Sequence, residues 1–163
     1  MAKMQPFWWF LAPPILEKII NGGFETGDFT GWTTSGNVSI SSASPHSGTK
    51  HARFNAQNAL ITQTFSAPIP KSRMSSFGLY WKASGEWINP YLRVGVYYSV
   101  TKVWHYIEME FPRPATYTYV DILATIPDGE SIGAIDIAAL AQFSSGDYFD
   151  LDDISMIDPI GTG

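Results

Sequence analysis

A chain of 163 residues with a hydrophobic share of 45% can fill one core and is short for two domains. Its net charge of -5 includes no run of Lys or Arg, so counterion release has no source and nucleic acid is excluded as an expected partner. No cysteine is present, which excludes disulfides, thiol catalysis and thiolate metal sites. Charged residues make up only 15% against roughly 25% in an average soluble protein, and aromatics reach 15%. That balance suits β-structure with an adhesive surface.

The chain opens on an apolar arm, residues 1–16, in which Lys3 precedes Phe7, Trp8, Trp9, Phe10 and Leu11. The run resembles the start of an export signal, but Pro6, Pro13 and Pro14 interrupt it and no A-x-A-like site follows. It falls short of the roughly 20 apolar residues that span a bilayer, so we read it as mature sequence with no membrane span. Prolines favour an extended arm, and its large apolar side chains precede the first strand-like pattern. They are expected to form an interface with an adjacent subunit.

Turn signals follow at short intervals, from Asn21-Gly22-Gly23 through Ser47-Gly48 and Ser84-Gly85 to Asp128-Gly129 and Ser145-Gly146. Between them lie runs of strand length at 60–65, 77–83, 91–100, 103–111, 117–126, 132–143 and 149–157. In 91–100, Leu92, Val94, Val96 and Tyr98 alternate with Tyr91, Arg93, Gly95 and Tyr97. In 103–111, Val103, Ile107, Met109 and Phe111 alternate with Trp104, Tyr106, Glu108 and Glu110. No amphipathic helix of ten residues emerges. The pattern predicts an all-β jelly-roll sandwich of two antiparallel sheets over residues 17–158, with a short tail at 159–163.

Three stretches carry a family pattern. They are Asn21-Gly22-Gly23-Phe24-Glu25-Thr26-Gly27-Asp28-Phe29-Thr30-Gly31-Trp32, then Ser47-Gly48-Thr49-Lys50-His51-Ala52-Arg53-Phe54, and Phe149-Asp150-Leu151-Asp152-Asp153-Ile154-Ser155-Met156. Together they resemble the carbohydrate-binding modules of bacterial glycoside hydrolases, of families such as 4, 9, 16 and 22, within the galactose-binding-like superfamily. The resemblance spans roughly residues 17–158. It implies a structural calcium joining the first and last strands, with Glu25 and Asp153 as side-chain ligands and backbone oxygens near Asn21, Thr49 and Lys50 completing the site. Read without the resemblance, the glycine pair permits a tight turn that sends Phe24 to the core and Glu25 to the loops. Asp150, Asp152 and Asp153 crowd one strand, which costs repulsion unless solvent or a hard, oxygen-seeking cation compensates.

If the parity holds, one sheet presents Tyr80, Lys82, Tyr91, Arg93, Tyr97, Trp104, Tyr106, Glu108 and Glu110 outward, with Trp87 in a neighbouring loop able to close one end. Aromatic rings stack on the C–H faces of pyranoses, and Arg and Glu orient hydroxyls. The same residue types also serve cross-strand packing or a subunit interface. Catalysis has little footing: His46, His51 and His105 stand without a hydrolase or phosphate-loop motif. Glu108 and Glu110, two apart on one strand, cannot readily flank a glycosidic bond from opposite sides. Asn37-Val38-Ser39 is a glycosylation triplet of a kind frequent by chance.

The expectation is therefore a non-catalytic, calcium-stabilised module that binds a glycan or polysaccharide surface. The alternative is a structural or decorating subunit of a phage virion or cell-surface lattice, a homo-oligomer associating through its arm. Either expectation places it extracellularly or on a virion surface.

Overall fold

The computed structural model describes residues 15–84, 92–109, 114–140 and 146–159. Eleven strands follow in order: β1 (Leu16–Glu17), β2 (Thr33–Ser35), β3 (Val38–Ser41), β4 (His51–Phe54), β5 (Leu60–Pro70), β6 (Ser76–Ser84), β7 (Leu92–Tyr98), β8 (Val103–Met109), β9 (Thr118–Asp121), β10 (Ser131–Ala139) and β11 (Tyr148–Asp158). They form two antiparallel sheets, one ordered β3-β4-β11-β6-β9 with β1 against the end of β11, the other ordered β2-β5-β10-β7-β8. The fold is the β-sandwich that the alternating pattern predicts.

Alternation explains the core. From one sheet, Phe54, Phe77, Leu79, Phe149 and Leu151 point inward; from the other, Ile61, Val94, Val96, Ile135 and Ile137 meet them, all fully buried. Full burial of each such side chain contributes about 1.5–3 kcal/mol. The predicted strand at 117–126 is shorter than its pattern. It ends at Asp121, where the carboxylate accepts the Ala124 amide and the chain turns through a 3-10 segment at Leu123–Thr125. Ile122 and Ile126 still reach the core from that turn, which is why the apolar spacing reads as strand.

The first motif is a loop. At its opening turn the left-handed residues are Asn21 (φ 52) and Phe24 (φ 57), not the two glycines between them; further on, Gly27 (φ 80) and Gly31 (φ 85) are left-handed as well. Gly22 is needed for a different reason, since a Cβ there would lie 1.8 Å from the carbonyl oxygen of Ile154. This close approach lets the Ile154 amide donate to the Gly22 carbonyl at 3.1 Å and ties the loop to β11. Phe24 and Trp32 are buried, with Trp32 Nε1 donating to the Asn21 carbonyl at 3.3 Å. The Asn21 side chain holds the far side of the loop by donating to the carbonyls of Asp28 and Thr30. Gln63, itself buried, pairs with Ile20 as a strand would, accepting its amide at 2.9 Å and donating to its carbonyl at 3.0 Å.

Candidate ligand-binding face

The outward side of the five-stranded sheet is built by register. Arg93 pairs with Glu108, Gly95 with Tyr106 and Tyr97 with Trp104, so all six lie on one face, opposite Val94 and Val96. On the other flank of β7, Asp136 pairs with Gly95, Ala138 with Arg93 and Ala134 with Tyr97. Beyond β10 the row continues through Thr62 of β5 and Thr33 of β2. Small side chains therefore floor the middle of the face, and aromatics stand along the β8 side.

Trp104 and Tyr106 are partly exposed and nearly parallel, their rings 6.3 Å apart at 7°. Tyr97 leans on Trp104 with ring centroids 5.5 Å apart, and the Arg93 guanidinium lies 4.3 Å from the Tyr106 ring. Two polar atoms here are buried with no hydrogen-bond partner among the described residues, Arg93 Nε and Asp136 Oδ1. Burial pushes the Asp136 carboxyl above its ordinary range, against the opposing pull of the Arg93 charge and the Gly95 amide. Gly95 makes the approach possible: a Cβ there would meet Asp136 Oδ1 at 2.1 Å and the Tyr106 ring at 3.0 Å.

Sequence reasoning placed Arg93, Tyr97, Trp104, Tyr106 and Glu108 together, and the structure brings these five to one face. Asp136 was missed. Its signal was an acidic residue at the centre of the otherwise apolar run 132–140, where a charge on a central strand calls for a partner or a ligand. Trp87, Tyr91 and Glu110 lie outside the described residues, as do Phe7, Trp8, Trp9, Phe10 and Leu11.

Tyr80 and Lys82 do not belong to this face. β6 hydrogen-bonds to β11 and β9, so consecutive strands β6 and β7 fall in opposite sheets, a crossing that alternation within each strand cannot reveal. Tyr80 stacks on His46 at 3.8 Å and neighbours Tyr119 at 5.1 Å. Lys82 donates to the Ser44 carbonyl at 2.7 Å. Together they knit loop 42–50 onto the outer side of the six-stranded sheet. Beneath that cover, Asp150 is fully buried and accepts a bidentate pair from Arg53 at 2.7 and 2.9 Å, with His51 Nε2 at 3.1 Å and Lys82 Nζ at 3.5 Å. Burial alone would raise the Asp150 carboxyl, but His51 and Arg53 outweigh it and hold it below the ordinary value. Asp150 thus leaves the acidic crowd the sequence suggested and is neutralised by its own cations.

The remaining acids meet around Gly23, whose added Cβ would lie 3.4 Å from Asp153 Oδ1 and 3.9 Å from Asp152 Oδ1 and from the Glu25 side chain. Glu25 accepts the amides of Thr49 and Lys50, each at 2.8 Å, and the Thr49 hydroxyl at 2.9 Å; the amide bonds, then the hydroxyl, lower its pKa. Asp153 accepts Ser47 Oγ at 2.8 Å and contacts His46 Nδ1 at 2.6 Å. Burial, reinforced by the neighbouring Asp153 charge, pushes Asp152 up to about 6. Glu25, Thr49, Lys50 and Asp153 therefore do converge across distant sequence. Among the described residues, however, no three His, Asp or Glu side chains form a ready metal cluster. The carboxylate oxygens of Glu25, Asp152 and Asp153 suit calcium chemically, the His46 nitrogen beside Asp153 does not, and backbone carbonyls would have to supply part of the shell.

A cavity of about 350 Å³ lies elsewhere, bordered by Lys18, Ile20, Phe65, Ile69, Arg73 and Asp158, and shares no residue with the aromatic row. No helix among the described residues is long and apolar enough to cross a membrane.

No family model matches the chain and no curated protein resembles it closely enough to be matched. Solved structures do. A family 16 carbohydrate-binding module superposes with a TM-score of 0.65 at 22% identity, covering 85% of this chain and 98% of that one. The TmCBM61 module in complex with beta-1,4-galactotriose gives 0.64 at 19% identity, covering 86% and 97%. A bacteriophage CBA120 tailspike protein 4 domain gives 0.60 at 15% identity, covering 86% of this chain and 21% of that one. The chain has the β-sandwich fold of the carbohydrate-binding modules.

Proposed function

We propose that the protein is a non-catalytic glycan-binding module whose platform is the outward face of the five-stranded sheet. The observation that carries this reading is the parallel pair Trp104 and Tyr106 beside two polar atoms without a partner among the described residues, Arg93 Nε and Asp136 Oδ1. A pyranose chain would stack its C–H faces on the rings, and its hydroxyls would pair with Arg93 Nε and Asp136 Oδ1 once the side chains that enclose these atoms shift aside. Arg93 faces the two carboxylates Asp136 and Glu108 on this face, which disfavours an anionic polysaccharide and leaves a neutral one as the better fit.

Titration of Trp104→Ala against neutral β-linked polysaccharides should show affinity reduced about thirtyfold, as removal of a central Trp anchor costs about 2 kcal/mol. Its melting temperature should scarcely move, because Trp104 is already 37% exposed. Asp136→Asn should also weaken binding. Failure of the parent protein to bind any neutral glycan on a broad array would refute the reading.

Calcium held by Glu25 and Asp153 with backbone oxygens would join the first motif loop to β11 and so stiffen one end of the sandwich. Ions that bind only the native state stabilise it by mass action. Addition of calcium to chelator-treated protein should raise the melting temperature by several degrees, and Asp153→Ala should abolish the increase. Superimposable melts in chelator and excess calcium would remove the ion from the account.

A decorating role in a larger assembly is the second reading. It is favoured by the likeness to a bacteriophage tailspike domain and by the exposure of Ile15 and Leu16, where the apolar arm meets the sandwich.

A further inference from the structure

We propose that β8 is a self-association seam, through which two copies join edge to edge and fuse their aromatic faces into one extended platform. Among the described residues β8 is the terminal strand of its sheet, and it runs in unbroken register with β7 over seven residues. Edge strands usually carry Pro, a bulge or charges that discourage pairing; Val103–Met109 has no Pro and no bulge, His105 is its one ionisable residue on the inward side, and Glu108 is its one charged residue on the outward side. Eight large apolar side chains stand exposed among the described residues, and four of them, Val100, Val103, Trp104 and Tyr106, lie within 100–106. A glycan on the outward face accounts for Trp104 and Tyr106. It leaves Val103 unexplained, because that side chain points to the opposite face and is still 50% exposed.

A second copy of this chain is the occupant that the strand itself specifies. With a two-fold axis through His105, Trp104 falls opposite Tyr106 of the second copy and Val103 falls opposite Ile107. Lys102, in the turn leading into β8, falls opposite Glu108. Both strand pairs keep their members on the same face, and Lys102, left-handed in its turn (φ 58), sets its long cationic side chain near Glu108 of the second copy, bringing opposite charges together at the ends of the seam. Centring the axis on Trp104 would set Lys102 against Tyr106, and centring it on Tyr106 would set Glu108 against Trp104, so only His105 pairs the charges. The resulting sheet of ten strands carries Trp104 and Tyr106 of both copies side by side, and each copy completes the other's platform. Association stands apart from the glycan reading, and only the lengthened platform rests on it.

Because the chain has no cysteine, a single His105→Cys substitution tests the axis directly. Directly opposed residues on antiparallel strands have Cα atoms about 4.5–5.5 Å apart, within disulfide reach. Under mild oxidation the H105C chain should form a covalent dimer, and S66C, exposed on β5, should not. By light scattering the parent should dimerise at micromolar concentration, Lys102→Glu should weaken association about tenfold, and adding Glu108→Lys should restore it. A monomeric parent overturns the proposal, as does a dimer indifferent to charge reversal with H105C cross-linking no faster than S66C. Loss of glycan binding with dimerisation intact would count against the platform alone.

Discussion

Replacing Asp150 by Asn is expected to destabilise the fold by about 3–5 kcal/mol, the range observed when one member of a buried ion pair is removed. Asp150 is wholly enclosed and is the common acceptor for Arg53, with His51 and Lys82 beside it. The amide cannot neutralise them, so Arg53 would keep its place over the Tyr148 ring without its counter-charge. For a domain of this size the melting temperature should fall on the order of 10 °C. The pH dependence has a defined sign. The folded-state pKa of Asp150 lies below the free value of 3.8, so the parent's advantage is complete above that value and shrinks as pH falls through the lowered pKa. Thermal melts of parent and variant between neutral and acid pH check both points, and an equal melting temperature at neutral pH would show that the cluster contributes nothing net.

Gly22→Ala should cost about 3 kcal/mol or more, whereas Gly23→Ala should stay within about 1 kcal/mol. The two glycines are adjacent and neither has positive φ, so backbone freedom does not distinguish them. Their surroundings do. At Gly22 the new methyl would sit 1.8 Å from the Ile154 carbonyl, a backbone group in the β11 bulge between Asp152 and Ser155 that cannot swing aside as a side chain can. At Gly23 the nearest atom is a carboxylate oxygen of Asp153 at 3.4 Å, an ordinary contact. Denaturant unfolding of the two variants gives the comparison, with a lower midpoint and unchanged slope expected for Gly22→Ala. Equal losses at both positions would mean that the loop as a whole, and not its contact with β11, is what the glycines protect.

The glycine pair illustrates how far sequence reading reaches. Asn-Gly-Gly announced a turn correctly, yet the residues that take the left-handed conformation are Asn21 and Phe24. Composition and the word of the motif cannot tell a glycine needed for its φ from one needed for its missing side chain, because the second depends on a strand about 130 residues away.

Alternation by itself determined the fold class, the inward set Leu92, Val94 and Val96, and the outward set Arg93, Tyr97, Trp104, Tyr106 and Glu108, since a strand's side-chain period is a local property of its backbone. Only the tertiary structure decided which strands share a sheet. It moved Tyr80 and Lys82 to the opposite side of the sandwich, brought Asp136 and Tyr106 to either side of Gly95, and gave Asp150 its own cations. It also showed that Val103, on the inward side by parity, extends past the core at the sheet edge, because burial depends on what the second sheet covers and that is set by contacts between residues far apart in the chain.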